Sequence, residues 1–116
     1  MKAHQNVTPR QEALAERNLC VAVAALRTAE DCRDFFRDLC TPAELQAMAD
    51  RWAVVEFLKE DLPYREIHRR TGVSVTTIGR VARFLASGNG GYAKAARRLA
   101  ESRADAAARP NEAGRG

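Results

Sequence analysis

Apolar residues recur along most of this chain three and four positions apart. No stretch alternates apolar with polar between hairpin turn residues, so the pattern predicts an all-α fold of six helices. The first starts at Thr8-Pro9-Arg10-Gln11, where a capping threonine, a proline at the first helical position and a glutamine three residues after the cap coincide. It runs to about Arg27, and its second half, Leu19 to Leu26, is apolar on all sides, as suits a helix enclosed by others. Thr28-Ala29-Glu30-Asp31 begins a second helix through about Leu39, with Phe35, Phe36 and Leu39 on its apolar side. Thr41-Pro42-Ala43-Glu44 is the clearest start signal, and Leu45, Met48, Ala49, Trp52, Val55 and Leu58 continue at helical spacing to about Glu60. Leu62-Pro63 ends that helix, two short helices flank Gly72, and Ser87-Gly88-Asn89-Gly90-Gly91 interrupts again before a last helix from about Tyr92 to Ala107. The end of the last helix lacks a strong apolar stripe and is expected to fray. Residues 1–7 are expected as a flexible N-terminus, 8–108 as a single helical domain and 109–116 as a disordered tail.

Composition narrows the function classes. The longest apolar run, Leu19 to Leu26, is too short to cross a bilayer, and no apolar signal region follows the polar Met1–Val7, so a soluble cytoplasmic protein without membrane partners is expected. Cys20, Cys32 and Cys40 are odd in number and lack C-x-x-C spacing, which points to reduced core thiols rather than disulfides or a metal site. The net charge is +4, and its distribution says more: residues 62–103 carry nine Lys/Arg against two Asp/Glu, whereas residues 1–61 carry eight against eleven. A basic C-terminal half suits a polyanionic partner, and equally a solvated face without one.

The segment Pro63 to Val81 separates these readings. Its first helix has an inward Ile67, Gly72 supplies a turn that needs a positive φ, Val73 pins that turn, and Ser74 caps a second helix. Ile78, Val81, Ala82 and Leu85 face inward along the second helix, leaving Thr76, Thr77, Arg80 and Arg83 on the opposite face. This is a helix-turn-helix over about 63–86. Short hydroxyls near a helix start, with arginines further along, suit the major groove of duplex DNA, and no aromatic stacking platform for RNA appears outside the helices. Arg65 on the first helix can pair with guanine or with phosphate, His68 lies near phosphate or solvent, and Arg69 adds to the basic flank.

The region from Leu39 to Leu99, somewhat more than half the chain, resembles the Trp repressor superfamily, most closely its YerC/YecD-type branch. The resemblance rests on Thr41-Pro42-Ala43-Glu44-Leu45 through Arg51, the helix-turn-helix, and Asn89-Gly90-Gly91-Tyr92 after it. It implies a six-helix subunit in an interlocked homodimer on the bacterial nucleoid, acting as a transcriptional regulator, a repressor by preference, on a near-palindromic operator. The family's reading positions fall on Arg65, Val75, Thr76, Thr77 and Gly79. Gly79 departs from relatives that carry a hydroxyl there. The two arginines that hold the family's corepressor match Arg51 and Arg80, in a pocket that also takes in Thr41. Val81 and Phe84 replace small residues in it and are expected to fill the space of an indole, so neither tryptophan nor another cofactor is expected.

An enzyme is not expected: His4 and His68 have no Ser, Cys or Asp partner in any local catalytic signature. Trp52, Phe35, Phe36 and Phe57 read as core residues. The alternative from another class is a helical adaptor whose basic face binds an acidic protein. Salt and sequence dependence of duplex binding discriminate the two.

Overall fold

The computed structural model describes residues 7–108, which form helices and no strand. The expectations for residues 1–6 and 109–116 lie outside the described residues. In order the elements are α1 (Pro9–Ala25), α2 (Ala29–Leu39), α3 (Pro42–Ala53), α4 (Val55–Lys59), α5 (Tyr64–Thr71), α6 (Val75–Ser87) and α7 (Gly91–Ala108). These are the six expected helices with the third in two segments. Val54 separates α3 from α4, yet keeps helical-region dihedrals (φ −89°, ψ −8°), and its carbonyl accepts from Leu58 N–H at 3.0 Å, so the interruption is a local distortion. The last helix, expected from about Tyr92 to Ala107, spans Gly91–Ala108. No described helix is long and apolar enough to cross a membrane.

The chain divides into two compact units between Leu45 and Gln46. In the N-terminal unit the threonine start signals act as capping hydrogen bonds. Thr8 Oγ1 accepts from Gln11 N–H at 3.1 Å while Gln11 Oε1 accepts from Thr8 N–H at 2.8 Å. Thr41 and Glu44 repeat the reciprocal pair at 3.1 and 2.8 Å, and Thr28 Oγ1 caps Asp31 N–H at 3.0 Å. Each cap is worth about 1 kcal/mol and fixes where its helix begins. Yet α1 and α2 bury no residue. Leu14, Leu19 and Val21 are each more than two-fifths exposed, so within one chain the all-round apolar helix is not enclosed. The cysteines depart from the expectation of a core position: Cys20 is exposed, and Cys32 and Cys40 are half-buried.

The C-terminal unit holds the core. Val54, Val55, Ile67, Val73, Ile78 and Val81 are buried together, with Phe57, Leu58, Leu62, Leu85 and Tyr92 packed around them. Trp52, expected inside, is 37% exposed and stacks on Tyr92 with ring centroids 6.5 Å apart. After α4 the chain turns through Asp61 at φ 61°, a left-handed conformation that an aspartate tolerates, and Leu62 N–H reaches back to the Phe57 carbonyl at 3.2 Å. The turn is thus made just before Pro63, which precedes α5.

Gly72 ends α5 in the left-handed region (φ 76°), and its N–H donates to the His68 carbonyl at 2.8 Å. A Cβ there would meet nothing within 4 Å, so only the backbone resists a side chain. Gly72→Ala should therefore cost about 1 to 2 kcal/mol, visible as a lower urea midpoint with an unchanged slope.

Candidate nucleic-acid interface

The turn between α5 and α6 is fixed by side chains as well as by Gly72. Thr71 Oγ1 donates to the Ile67 carbonyl at 2.7 Å and accepts from Val73 N–H at 3.1 Å, and Val73 is buried. His68 Nδ1 lies 2.7 Å from the Val73 carbonyl. A carbonyl can only accept, so Nδ1 carries the proton, and Nε2 of the neutral ring is left as an acceptor. Neutral His68 therefore has no second N–H for a phosphate, and only its imidazolium form would offer one. The pin across the turn is the contact shown for this residue.

Ser74 then starts α6: its Oγ accepts from Thr77 N–H at 3.1 Å, and its hydroxyl donates to Thr77 Oγ1 at 3.0 Å. Ile78 and Val81 anchor the helix in the core. Their burial turns Ser74, Val75, Thr76, Arg80 and Arg83 outward, with Thr77 half-buried among them. Val75 is an exposed apolar side chain in the first turn of α6, beside N–H groups that have no partner within the helix. Such an end favours anions, and no acidic residue occupies the first turn.

Gly79 sits half-buried in the middle of α6, and a Cβ there would lie 3.7 Å from Tyr64 Cε2, an ordinary contact. The missing methyl is thus not demanded by packing. Gly79→Ala should stabilise the protein by about 0.5 to 1 kcal/mol, raising the thermal midpoint by a few degrees.

The basic residues of α5 are not equivalent. Glu66 accepts from Arg69 Nε at 3.0 Å and from Arg70 Nε at 2.7 Å, one turn along the same helix. Hydrogen bonds from Arg69 and then Arg70 hold the Glu66 carboxyl down at about 2, and Glu66 pushes Arg69 up in return. Arg70 also lies over the Phe57 ring at 5.8 Å. Arg69, a candidate for DNA, is thus committed to a carboxylate; Arg65 is exposed and has no such partner among the described residues. The three-and-four spacing of Glu66, Arg69 and Arg70 carried that signal, which the reading of the basic flank missed.

A concave site of about 540 Å³ lies beside α6, lined by Arg51, Arg80, Val81, Phe84, Asn89, Gly91 and Tyr92. Four of these were expected from the sequence; Asn89, Gly91 and Tyr92 were noted there only as a family pattern. Thr41 caps α3 in the N-terminal unit. The expected filling by Val81 and Phe84 does not occur within this chain: Val81 is buried in the core, whereas Phe84 is 41% exposed and leaves the concavity open. The Arg80 and Arg83 guanidiniums lie over its ring, 5.8 and 5.1 Å from the centroid. No group of three or more His, Cys, Asp or Glu among the described residues is placed to hold a metal ion.

Residues 16–100 match the family described as Trp repressor protein. The uncharacterized protein YerC of Bacillus subtilis strain 168 is 38% identical over 88 residues, covering 76% of this chain and 85% of YerC. Two solved structures are also similar. A candidate Trp repressor from Staphylococcus aureus is 36% identical with a TM-score of 0.70, over 74% of this chain and 86% of that one. A TrpR-like protein from Eubacterium eligens is 34% identical with a TM-score of 0.72, over 80% and 96%.

Proposed function

The chain belongs to the Trp repressor family, of the YerC type, and from that premise we propose that it is a transcriptional regulator that binds a near-palindromic DNA operator as a homodimer. The family is regulatory rather than enzymatic. The observation that carries the reading is the outer face of α6: Ser74, Val75, Thr76, Thr77, Arg80 and Arg83 at or after a capped helix start that is free of acidic residues. Inserted into a major groove, the first turn offers hydroxyls and the Val75 side chain to base edges, while Arg80 and Arg83 further along reach phosphates. Arg65 on α5 supplies a second basic contact across the groove, and Gly79 lets the backbone come close to the duplex.

The dimer reading is supported by what one chain leaves uncovered. Helices α1 and α2 bury no residue, and Leu14, Leu19 and Val21 leave apolar surface open that a partner could cover. A second copy of the same helices covers this surface in the interlocked arrangement the family implies, and sets two α6 helices at successive major grooves. The operator is then two-fold symmetric because the protein is. Repression follows where such a site overlaps a promoter, and the protein resides on the nucleoid.

We propose further that tryptophan is not required. The open concavity removes lack of space as the reason; instead, Phe84 already occupies the face of Arg80 that an aromatic ligand would use.

Selection from a random duplex library at near-physiological salt, with and without L-tryptophan, tests the reading. A two-fold symmetric site enriched equally in both conditions is the expected result. Enrichment only with tryptophan would overturn the effector-free part, and none in either condition would overturn DNA reading in favour of an adaptor for an acidic protein.

A further inference from the structure

We propose that Phe84 is a positioning residue for DNA binding, its exposed ring holding the guanidiniums of Arg80 and Arg83 ready for phosphate; the inference rests on the reading of α6 as the DNA-facing helix. Three observations carry it. First, Phe84 is not needed by the core: Ile78 and Val81 on the same helix are buried, while the larger Phe84 is 41% exposed. It stands four residues after Arg80 and seven after Thr77, and therefore on their outward side of the helix. A large apolar side chain in that place has a cost in water that some other interaction must offset.

Second, both arginines of the outer face lie over this one ring, Arg80 at 5.8 Å and Arg83 at 5.1 Å from its centroid. The negative face of an aromatic ring attracts a guanidinium, and the attraction restricts the rotamers of two long side chains before any ligand arrives. Ordering such side chains is a substantial part of the unfavourable entropy of binding, so arginines arranged in advance bind phosphate more tightly than free ones.

Third, the ring face takes up no charge. Among the described residues neither Arg80 nor Arg83 has a carboxylate within salt-bridge distance, whereas Arg69 and Arg70 both pair with Glu66 and Arg103 pairs with Glu56. A carboxylate would order an arginine as well, but would compete with the phosphate for the same N–H donors. An aromatic ring orders the side chain and leaves its full positive charge and its hydrogen-bond donors for DNA.

The test compares wild type, Phe84→Leu and Phe84→Tyr in affinity for the selected duplex, with thermal unfolding and sedimentation alongside. Leucine keeps an apolar side chain and loses the ring; tyrosine keeps the ring. Phe84→Leu is expected to remain folded and to keep its oligomeric state, to lose about five- to tenfold in affinity, and to show greater Nε–H mobility at Arg80 and Arg83 by NMR in the free protein. Phe84→Tyr is expected to match wild type in every respect. Wild-type affinity in Phe84→Leu would overturn the proposal while leaving DNA reading intact. So would a Phe84→Tyr protein as weak as Phe84→Leu, or a loss that follows melting temperature or dissociation, since these are marks of a structural role. A wild-type protein that binds no duplex would instead overturn the DNA reading itself, and this inference with it.

Discussion

A Thr77→Asp protein is expected to fold as well as wild type and to bind its duplex about a hundredfold more weakly. Thr77 is the third residue of α6, with its N–H capped by Ser74 at 3.1 Å. Aspartate suits that place in a helix, because a negative charge in the first turn interacts favourably with the unpaired N–H groups at about 0.3 to 1 kcal/mol. The hydroxyl it replaces is part of an exposed local pair with Ser74, not of the core. The same charge would point into the phosphate-lined groove in the complex. Losing a base-edge contact and adding repulsion there should together cost about 2 to 3 kcal/mol. Circular dichroism melting and fluorescence anisotropy with a labelled operator separate the two effects. Unchanged affinity in a folded mutant would contradict the placement of α6.

Ile78→Ala should give the complementary result, a loss of the fold from which binding loss follows. Ile78 is fully buried among Val54, Val55, Ile67, Val73 and Val81, and it is the residue through which α6 is seated in the core. Truncating it removes buried methylenes and leaves a cavity, at about 2 to 5 kcal/mol. That is a large share of the stability of any small domain, typically about 5 to 15 kcal/mol in total, and the core here is a handful of side chains. The urea midpoint should fall steeply while the slope is retained, and duplex affinity measured below the new midpoint should recover toward wild type. A midpoint shift equivalent to less than about 1 kcal/mol would mean that Ile78 does not bear on the packing of the helix-turn-helix.

The parts of this architecture that were legible in the sequence are those set by chemistry within one turn. Thr8, Thr28, Thr41 and Ser74 each cap the helix whose start they signal, and Gly72 takes the positive φ that its place between two apolar-faced helices requires. Ile67, Val73, Ile78 and Val81 were identifiable as inward because helical spacing assigns residues to faces. Spacing does not say what covers a face. Trp52 and the apolar half of α1 read as core, yet they are substantially exposed in the single chain. Phe84 was misplaced for a different reason: size suggested that it fills a cavity, whereas a ring with two arginines over it can remain at the surface. The interruption at Val54 left no mark, since neither proline nor glycine is there to announce it.

The carboxylate of Glu66 bears on how the protein should respond to ionic strength. A phosphate that engages Arg69 or Arg70 competes with a bound carboxylate, and a carboxylate set free takes up a cation as the DNA gives one up, so the net release of ions is smaller. Only arginines without a carboxylate, such as Arg65, Arg80 and Arg83, contribute a full increment of about 0.9 each to the logarithmic salt slope. The protein should accordingly stay on its operator through osmotic swings that strip a helix with the same number of unpaired cations, and its discrimination between sites should rest less on salt than its basic composition suggests.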